Sequence, residues 1–298
     1  MANPLLGLFP NRQITGSVGC PSCGEWVSVQ SNSCSKCGHW NPSMWGYFRY
    51  IKSLDASLFT QIIIYTCSFL FIITLLIDPY NFSISNGFSD FFEPSTKSLL
   101  IMGGSGSYPL ISMMSWWTVI SAQYLHCGIF HLIFNMIGVN NLAFPVFKLY
   151  GFSKLVIIYT FAGICGFLLT SIVSIISTHI SLPSAFNGAT IGAGASASIF
   201  GLLGALVSYG QQSGDNSTKQ IALQYSLIGF IYGLISPNID NCGHLGGFLG
   251  GYLITHFKYL NYKFQDNIKL FFWAIFCLFM AFLSIIASII KGFFFINW

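Results

Sequence analysis

Residues 194–201 read Gly-Ala-Ser-Ala-Ser-Ile-Phe-Gly, at the head of a long apolar run. Ser196 in this run has two readings: a small residue that lets helices pack, or a nucleophile set inside a membrane. Composition settles the solvent first. A soluble domain has about a quarter of its residues charged, whereas this 298-residue chain is 7% charged, 54% hydrophobic and 17% aromatic. Such a chain belongs in a lipid bilayer. Its net charge of +4 comes from basic residues that form no patch or run, which argues against a nucleic-acid partner. The opening MANPLLGLFPNRQ lacks the basic n-region and apolar core of a secretory signal, so the amino terminus is expected to be retained.

A membrane-spanning helix needs about 20 mostly apolar residues. The uncharged run between Asp55 and Asp78 supplies the first. After a long loop from Pro79 to about Cys127, further candidates lie near Phe130–Phe147, Leu155–Ile176, Gly194–Tyr209, Ile221–Ile235, His244–Phe257 and Leu270–Ile290. The polar stretch Gln211 to Gln220 reads as a loop. With seven spans and the amino terminus inside, the inside segments hold Arg12, Lys36, Arg49, Lys52, Lys148, Lys154, Lys219, Lys258, Lys263 and Lys269, and the outside segments only Lys97 and Lys291. That asymmetry follows the positive-inside rule and is lost if one span is added or dropped. The expectation is a multi-pass protein of the plasma (inner) membrane, amino terminus cytoplasmic and carboxyl terminus outside. Trp116, Trp117, Tyr150, Tyr209 and Trp298, near span ends, suit interfacial anchoring.

Four of the nine cysteines, Cys20, Cys23, Cys34 and Cys37, are spaced C-x2-C-x10-C-x2-C. Two such pairs can supply four thiolates in a closed tetrahedral zinc site. A disulfide reading would need an oxidising compartment, and the topology puts these residues in the cytoplasm; a redox-active or vestigial pair is the alternative. A closed site leaves no open coordination position, so a zinc held here is structural and catalysis needs no cofactor. The segment is similar to a zinc ribbon, which either binds a cytoplasmic partner or stabilises the amino terminus. His39 reads as a surface histidine. Cys67, Cys127, Cys165, Cys242 and Cys277 read as buried small hydrophobes.

Polar residues inside spans are costly and mark functional sites by default. Here they share one side. His131 and Asn135 open the second span, Ser196 the fourth and His244 the sixth, and in a chain that begins inside all three spans start from the outer face. Singly, each has an ordinary packing explanation; together they deliver polar groups to one depth. A serine hydroxyl needs an adjacent base to act as a nucleophile. Ser196 begins a helix, where free backbone N–H groups can stabilise an oxyanion, and His131 and Asn135, four apart, share a helix face and add side-chain donors. Gly247 and Gly251 share the face of His244 and oppose a small-residue stripe of Ala197, Gly201, Gly204 and Ser208, permitting close backbone approach. Phe200, one turn after Ser196, is placed to pack on the imidazole. Asp240 reads as a charge flanking the sixth helix, so the pattern is a dyad.

These residues resemble the rhomboid family of intramembrane serine proteases. Three motifs carry the resemblance in order: HxxxN at His131 to Asn135, GxS at Gly194 to Ser196, and H-x-G-G-x-x-x-G at His244 to Gly251. The resemblance implies an all-α polytopic fold, a six-helix core with a seventh helix after it, here preceded by the ribbon. It also implies a Ser196–His244 dyad, an oxyanion site of His131, Asn135 and the Ser196 amide, and cleavage of transmembrane segments of other membrane proteins. His126 matches a further histidine of the family pattern. Two positions depart from it. Ala197 stands where glycine is usual and is expected to tighten contact with the sixth span; Trp117 matches a Trp-Arg pair in the first loop, but Thr118 replaces the arginine. The division expected is 1–45 ribbon, 46–57 linker, 58–257 six-helix core, and 258–298 loop and seventh helix. The competing functions are a catalytically inactive rhomboid-like protein that binds membrane helices and a channel or transporter lined by the histidines, the latter short of polar groups toward the inner face.

Overall fold

The computed structural model of the chain describes residues 12–80, 83–84, 91–236, 239–257, 260–263 and 267–295. The first eleven residues, Lys258 and Trp298, used above for the amino terminus, charge asymmetry and anchoring, lie outside the described residues.

The described residues open with an antiparallel hairpin, β1 (Ser17–Gly19) and β2 (Trp26–Ser28), and a short helix α1 (Phe48–Ser53). The first span, α2 (Ala56–Ile77), starts where the Asp55 carboxylate accepts the Leu58 N–H at 3.0 Å, an N-cap that relieves one of the unpaired first-turn amides. The long loop that follows is largely structured. It contains a second hairpin, β3 (Ser83–Ile84) and β4 (Phe91–Glu93), then helix α3 (Thr96–Met102), a π-helical turn at Tyr108–Ser112, and the short helix α4 (Thr118–Ser121).

Six further helices follow: α5 (Ile129–Tyr150), α6 (Phe152–Ser177), α7 (Ser196–Ser213), α8 (Asn216–Ile235), α9 (Asn241–Ile254) and α10 (Ile268–Phe295). With α2 they make the seven helices of an all-α polytopic membrane protein, α2 and α5 to α9 as the core and α10 as the seventh. Among the described residues, α2, α5, α6 and α10 are by themselves long and apolar enough to cross a membrane. The glycine-rich α9 has only 14 residues and α7 ends in a polar turn, so neither is among them, and both are packed by protein. α7 is buried along most of its length and α9 along one whole face, so neighbouring helices, not lipid, meet much of their surface.

The α7–α9 contact is close because side chains are missing from it. A Cβ at Gly247 would lie 2.9 Å from Ala197 Cα, and one at Gly251 would lie 2.6 Å from Gly201 Cα, distances real Cβ atoms do not tolerate. Backbones in van der Waals contact are the basis of small-residue packing in membranes. The Ala197 backbone meets Gly247 of α9, while the Ala197 methyl also meets α6. There a Cβ on Gly166 would stand 2.5 Å from it, so the third span supplies the room.

The loop expected over Gln211 to Gln220 is a correction. Only Gly214 and Asp215 separate α7 from α8. Gly214 takes a left-handed conformation (φ 80°) that ends α7, and the Asp215 carboxylate accepts the Thr218 N–H at 3.0 Å to start α8. The polar residues simply extend both helices past the apolar region. Gln211 accepts a hydrogen bond from the Tyr252 hydroxyl at 2.6 Å, and Gln212 pairs with Asn261. At the same end Lys154, fully buried, donates to the Asn261 carbonyl at 2.7 Å. This ties the start of α6 to the segment after α9.

Candidate active site and cysteine cluster

α7 begins at Ser196 with Ala195 before it and no side chain capping its first turn. Its first amides, which lack an intrahelical acceptor as in any helix, thus have no side-chain cap either. The Gly194 N–H donates to the Ala122 carbonyl at 2.9 Å, fixing the approach to the helix. Ser196 is half-buried, and its hydroxyl has no hydrogen-bond partner among the described residues.

α9 begins one turn before His244, where the Asp240 carboxylate accepts the Gly243 N–H at 2.9 Å. Asp240 is thus the helix-flanking group the sequence suggested. The His244 ring is buried and stacks on Phe200, with centroids 4.1 Å apart and planes 12° from parallel. Phe200 is braced in turn by Phe230 of α8, edge-on at 5.0 Å. His244 Nδ1 is buried with no hydrogen-bond partner, and no hydrogen bond joins the imidazole to Ser196. Phe200 lies one helical turn below Ser196 and stacks on His244, so serine and histidine stand at the same end of the α7–α9 contact.

α5 brings the other two predicted groups to that end. A Cβ at Gly194 would lie 2.8 Å from His131 Nε2 and 3.8 Å from Asn135 Nδ2. Both side chains therefore face the residue two before Ser196. Asn135 is buried, and its amide donates to the His131 carbonyl at 3.0 Å, which uses one of its two N–H groups. His126 packs edge-on against His131 at 5.3 Å, wholly buried, with both ring nitrogens unpartnered. Four sequence-predicted residues from three helices thus converge. Phe230 was not foreseen, because one more phenylalanine in an apolar span carries no signal.

The four amino-terminal cysteines also converge. Cys20 and Cys37 Sγ atoms are 3.6 Å apart, Cys23 and Cys34 3.7 Å, and all four lie within 4.8 Å of one another. A tetrahedron with Zn–S bonds of about 2.3 Å has edges of about 3.8 Å, so the set fits a zinc ion. Cys20 and Cys34 lie on the small core formed with Val18, Val27 and Val29, and Gly24 and Gly38 N–H groups close the two Cys turns onto the Cys20 and Cys34 carbonyls at 2.9 Å. The Cys37 thiol is held down to about 7, chiefly by the backbone N–H of His39 and then by neighbouring thiols. Cys20 and Cys23 shift the other way, so the thiols titrate as one interacting set. His39 is not the surface residue expected. It is half-buried, with Nε2 enclosed and unpartnered, and it lies outside the four-sulfur set.

Residues 114–261 match the family model of the Rhomboid domain, a range that contains all three motifs. The chain is 29% identical over 176 residues to RHOMBOID-like protein 7 of Arabidopsis thaliana, covering 58% of this chain and 52% of that protein. It is 32% identical over 190 residues to Rhomboid protease GluP of Bacillus subtilis (strain 168), covering 63% of this chain and 34% of that protein. It is 27% identical over 186 residues to Rhomboid-like protease 3 of Toxoplasma gondii, covering 60% of this chain and 65% of that protein. The matched region spans a third to two thirds of these relatives' own lengths. The three motifs and helices α5 to α9 lie inside the matched range, and with its rhomboid-named relatives this places the chain in the rhomboid family.

Proposed function

We propose that this chain is an intramembrane serine endopeptidase that hydrolyses peptide bonds in transmembrane segments of other membrane proteins with a Ser196–His244 dyad. The observation that carries the reading is the convergence of Ser196, His244, His131 and Asn135, from three separate helices, at one end of the bundle. In the reaction, His244 takes the Ser196 proton as the hydroxyl attacks the scissile carbonyl, and returns it to the leaving amine. The resulting oxyanion is stabilised by the Ser196 N–H with His131 and Asn135. Water then hydrolyses the acyl-enzyme with His244 as base. Phe200 keeps the imidazole from turning away. The missing Ser196–His244 hydrogen bond is compatible with this sequence of steps, since catalytic hydrogen bonds are often long before substrate binds.

The same unbonded pair favours one second reading, an inactive rhomboid-like protein that binds membrane helices. Labelling by a serine-directed phosphonate probe in detergent, with Ser196→Ala as control, separates the two. Labelling of wild type alone supports the protease. Equal labelling of both variants, or of neither, sinks it.

The reading extends to topology and partners. The amino terminus is cytoplasmic, the carboxyl terminus outside, the membrane the plasma (inner) membrane, and the substrates enter from the bilayer. α8 buries only Ala222, Ser226 and Gly233, which makes it the most loosely packed wall beside the site. Residues 1–45 form a structural zinc ribbon open to a cytoplasmic partner, 46–57 the linker, 58–257 the protease core and 258–298 the closing loop and helix.

A further inference from the structure

Trp117 of the first loop is gripped by the seventh helix. Its indole N–H donates to Ser288 Oγ at 3.0 Å, while the Ser288 hydroxyl donates to the Ser284 carbonyl at 2.8 Å. Lys291, one turn further along α10, holds its ammonium 5.1 Å from the Trp117 ring centroid and donates to the Met113 carbonyl. A cation over an indole face, also bonded to a carbonyl, is a directional contact. Thr118, standing where the family pattern has arginine, is buried and donates to the Ser115 carbonyl at 2.7 Å. The cation the loop lacks thus arrives from α10.

The grip continues toward the candidate site. Thr118 Oγ1 lies 3.2 Å from the buried Ser105 Oγ. Ser105 exchanges both backbone hydrogen bonds with Gly192, at 2.9 and 2.6 Å, and the Ser107 and Tyr108 N–H groups donate to the Ala189 and Thr190 carbonyls at 3.1 Å. The segment that leads into Gly194 and Ser196 is therefore bonded along its backbone to the first loop.

We infer that Ser288 and Lys291 of the seventh helix are positioning residues for the candidate site. They lock Trp117, hold the first loop in register with Gly192, and so set where Ser196 starts α7. The catalytic part of this inference rests on the protease reading; the mechanical part does not. Loosening the lock frees the 189–194 segment without touching the dyad, so turnover falls while substrate affinity stays.

The test uses the full chain in detergent with Lys291→Met, Lys291→Arg and Ser288→Ala, and reads backbone hydrogen exchange beside cleavage of a single-span substrate. Lys291→Met and Ser288→Ala are expected to raise exchange over 105–108 and 189–194 by roughly 2- to 30-fold, the range for coupling through a packed network, with α2 and α5 amides unchanged. The same variants lower kcat over a similar range at nearly constant KM, and Lys291→Arg restores both readouts. Unchanged exchange over 189–194 in the Met and Ala variants, or an arginine variant no better than methionine, overturns the inference. If Lys291→Met fails to fold, Ser288→Ala and Lys291→Arg carry the comparison. If wild type neither cleaves nor takes the phosphonate probe, the protease reading has failed, and the exchange data still decide whether α10 holds the loop.

Discussion

The Phe200 ring lies flat on the His244 imidazole, 4.1 Å between centroids, and the Phe230 edge presses on Phe200 from the other helix at 5.0 Å. The imidazole has no hydrogen bond at Nδ1 to set its orientation. The aromatic face does that instead. Replacing Phe200 by leucine keeps the site apolar but removes the flat surface, so the ring gains rotational freedom. Turnover of a single-span substrate is expected to drop between about 10- and 100-fold, the penalty for small misplacement of a catalytic group, with KM nearly unchanged. A rise in KM alone would show that Phe200 contacts substrate and leaves the imidazole indifferent.

Ser196→Ala and His244→Ala are each expected to abolish turnover, and Asn135→Ala to lower kcat by about 10- to 1,000-fold. Losing one oxyanion donor costs about 2.7–4 kcal/mol in a soluble serine protease, and His131 and the Ser196 amide remain to compensate. Asn135 spends one N–H on the His131 carbonyl, so its removal also loosens the first turns of α5. Comparing probe labelling with substrate turnover separates the two effects. Labelling lost in parallel with folded protein would assign Asn135 to structure.

Cleavage is expected near the outer end of the substrate helix, because Ser196, His244 and His131 all stand at span starts that the proposed orientation puts outside. A substrate must unwind there to expose its carbonyl, which hydrocarbon forbids and the water-accessible rim permits. Mass spectrometry of the products locates the cut. A site in the cytoplasmic half would contradict either the orientation or the identity of the nucleophile.

The site was legible in the sequence where chemistry and period coincide. His131 and Asn135 sit four apart on one helix, Phe200 follows Ser196 by one turn, and Gly247 and Gly251 repeat the face of His244; each spacing maps directly to a contact found in the fold. What the sequence concealed depends on distant pairs. Lys291 looks like a lone outside charge and Ser288 like a helix filler, and nothing local links either to Trp117, which Ser288 reaches across 171 residues. The polar run at Gln211 to Gln220 misled for a related reason. Gln211 and Gln212 are satisfied by Tyr252 and Asn261 from elsewhere in the chain, and Asp215 and Thr218 by each other, so polarity there marks the rim of the bundle, where helices continue.

The α7–α9 contact predicts its own weak points. Gly251→Ala places a methyl group against Gly201 backbone, and Gly247→Ala places one against Ala197 backbone; backbone cannot rotate aside as a side chain can. Overpacking usually costs about 1–3 kcal/mol. Both variants are expected to melt earlier in detergent and to lose probe labelling, since separating the two helices separates Ser196 from His244. Leu227→Ala on α8, where leucine is exposed, serves as the control and should leave both readouts unchanged. Equal melting temperatures for all three variants would show that the helices are not in backbone contact.

The cysteine cluster should hold about one zinc per chain, lost when Cys20 and Cys23 are both replaced by serine. Two of four thiolates cannot close the tetrahedron, and the energy of a structural zinc is folding energy for the segment that holds it. The hairpin β1–β2 should therefore melt with the metal. Its consequences for the membrane bundle should be confined to one end. Trp45 packs edge-on against Phe272 in the first turns of α10 at 5.9 Å, and against Trp40 at 5.3 Å, so the ribbon touches the start of α10. Ser288 and Lys291, which hold Trp117, lie four turns or more further along the helix. Phosphonate labelling of Ser196 should accordingly survive in the double mutant, while hydrogen exchange rises near Phe272. Zinc analysis, exchange and labelling on one preparation decide the matter. A wild type purified free of zinc without chelator would defeat the metal assignment, and labelling that disappears with the zinc would show that α10 transmits the state of the ribbon across the membrane.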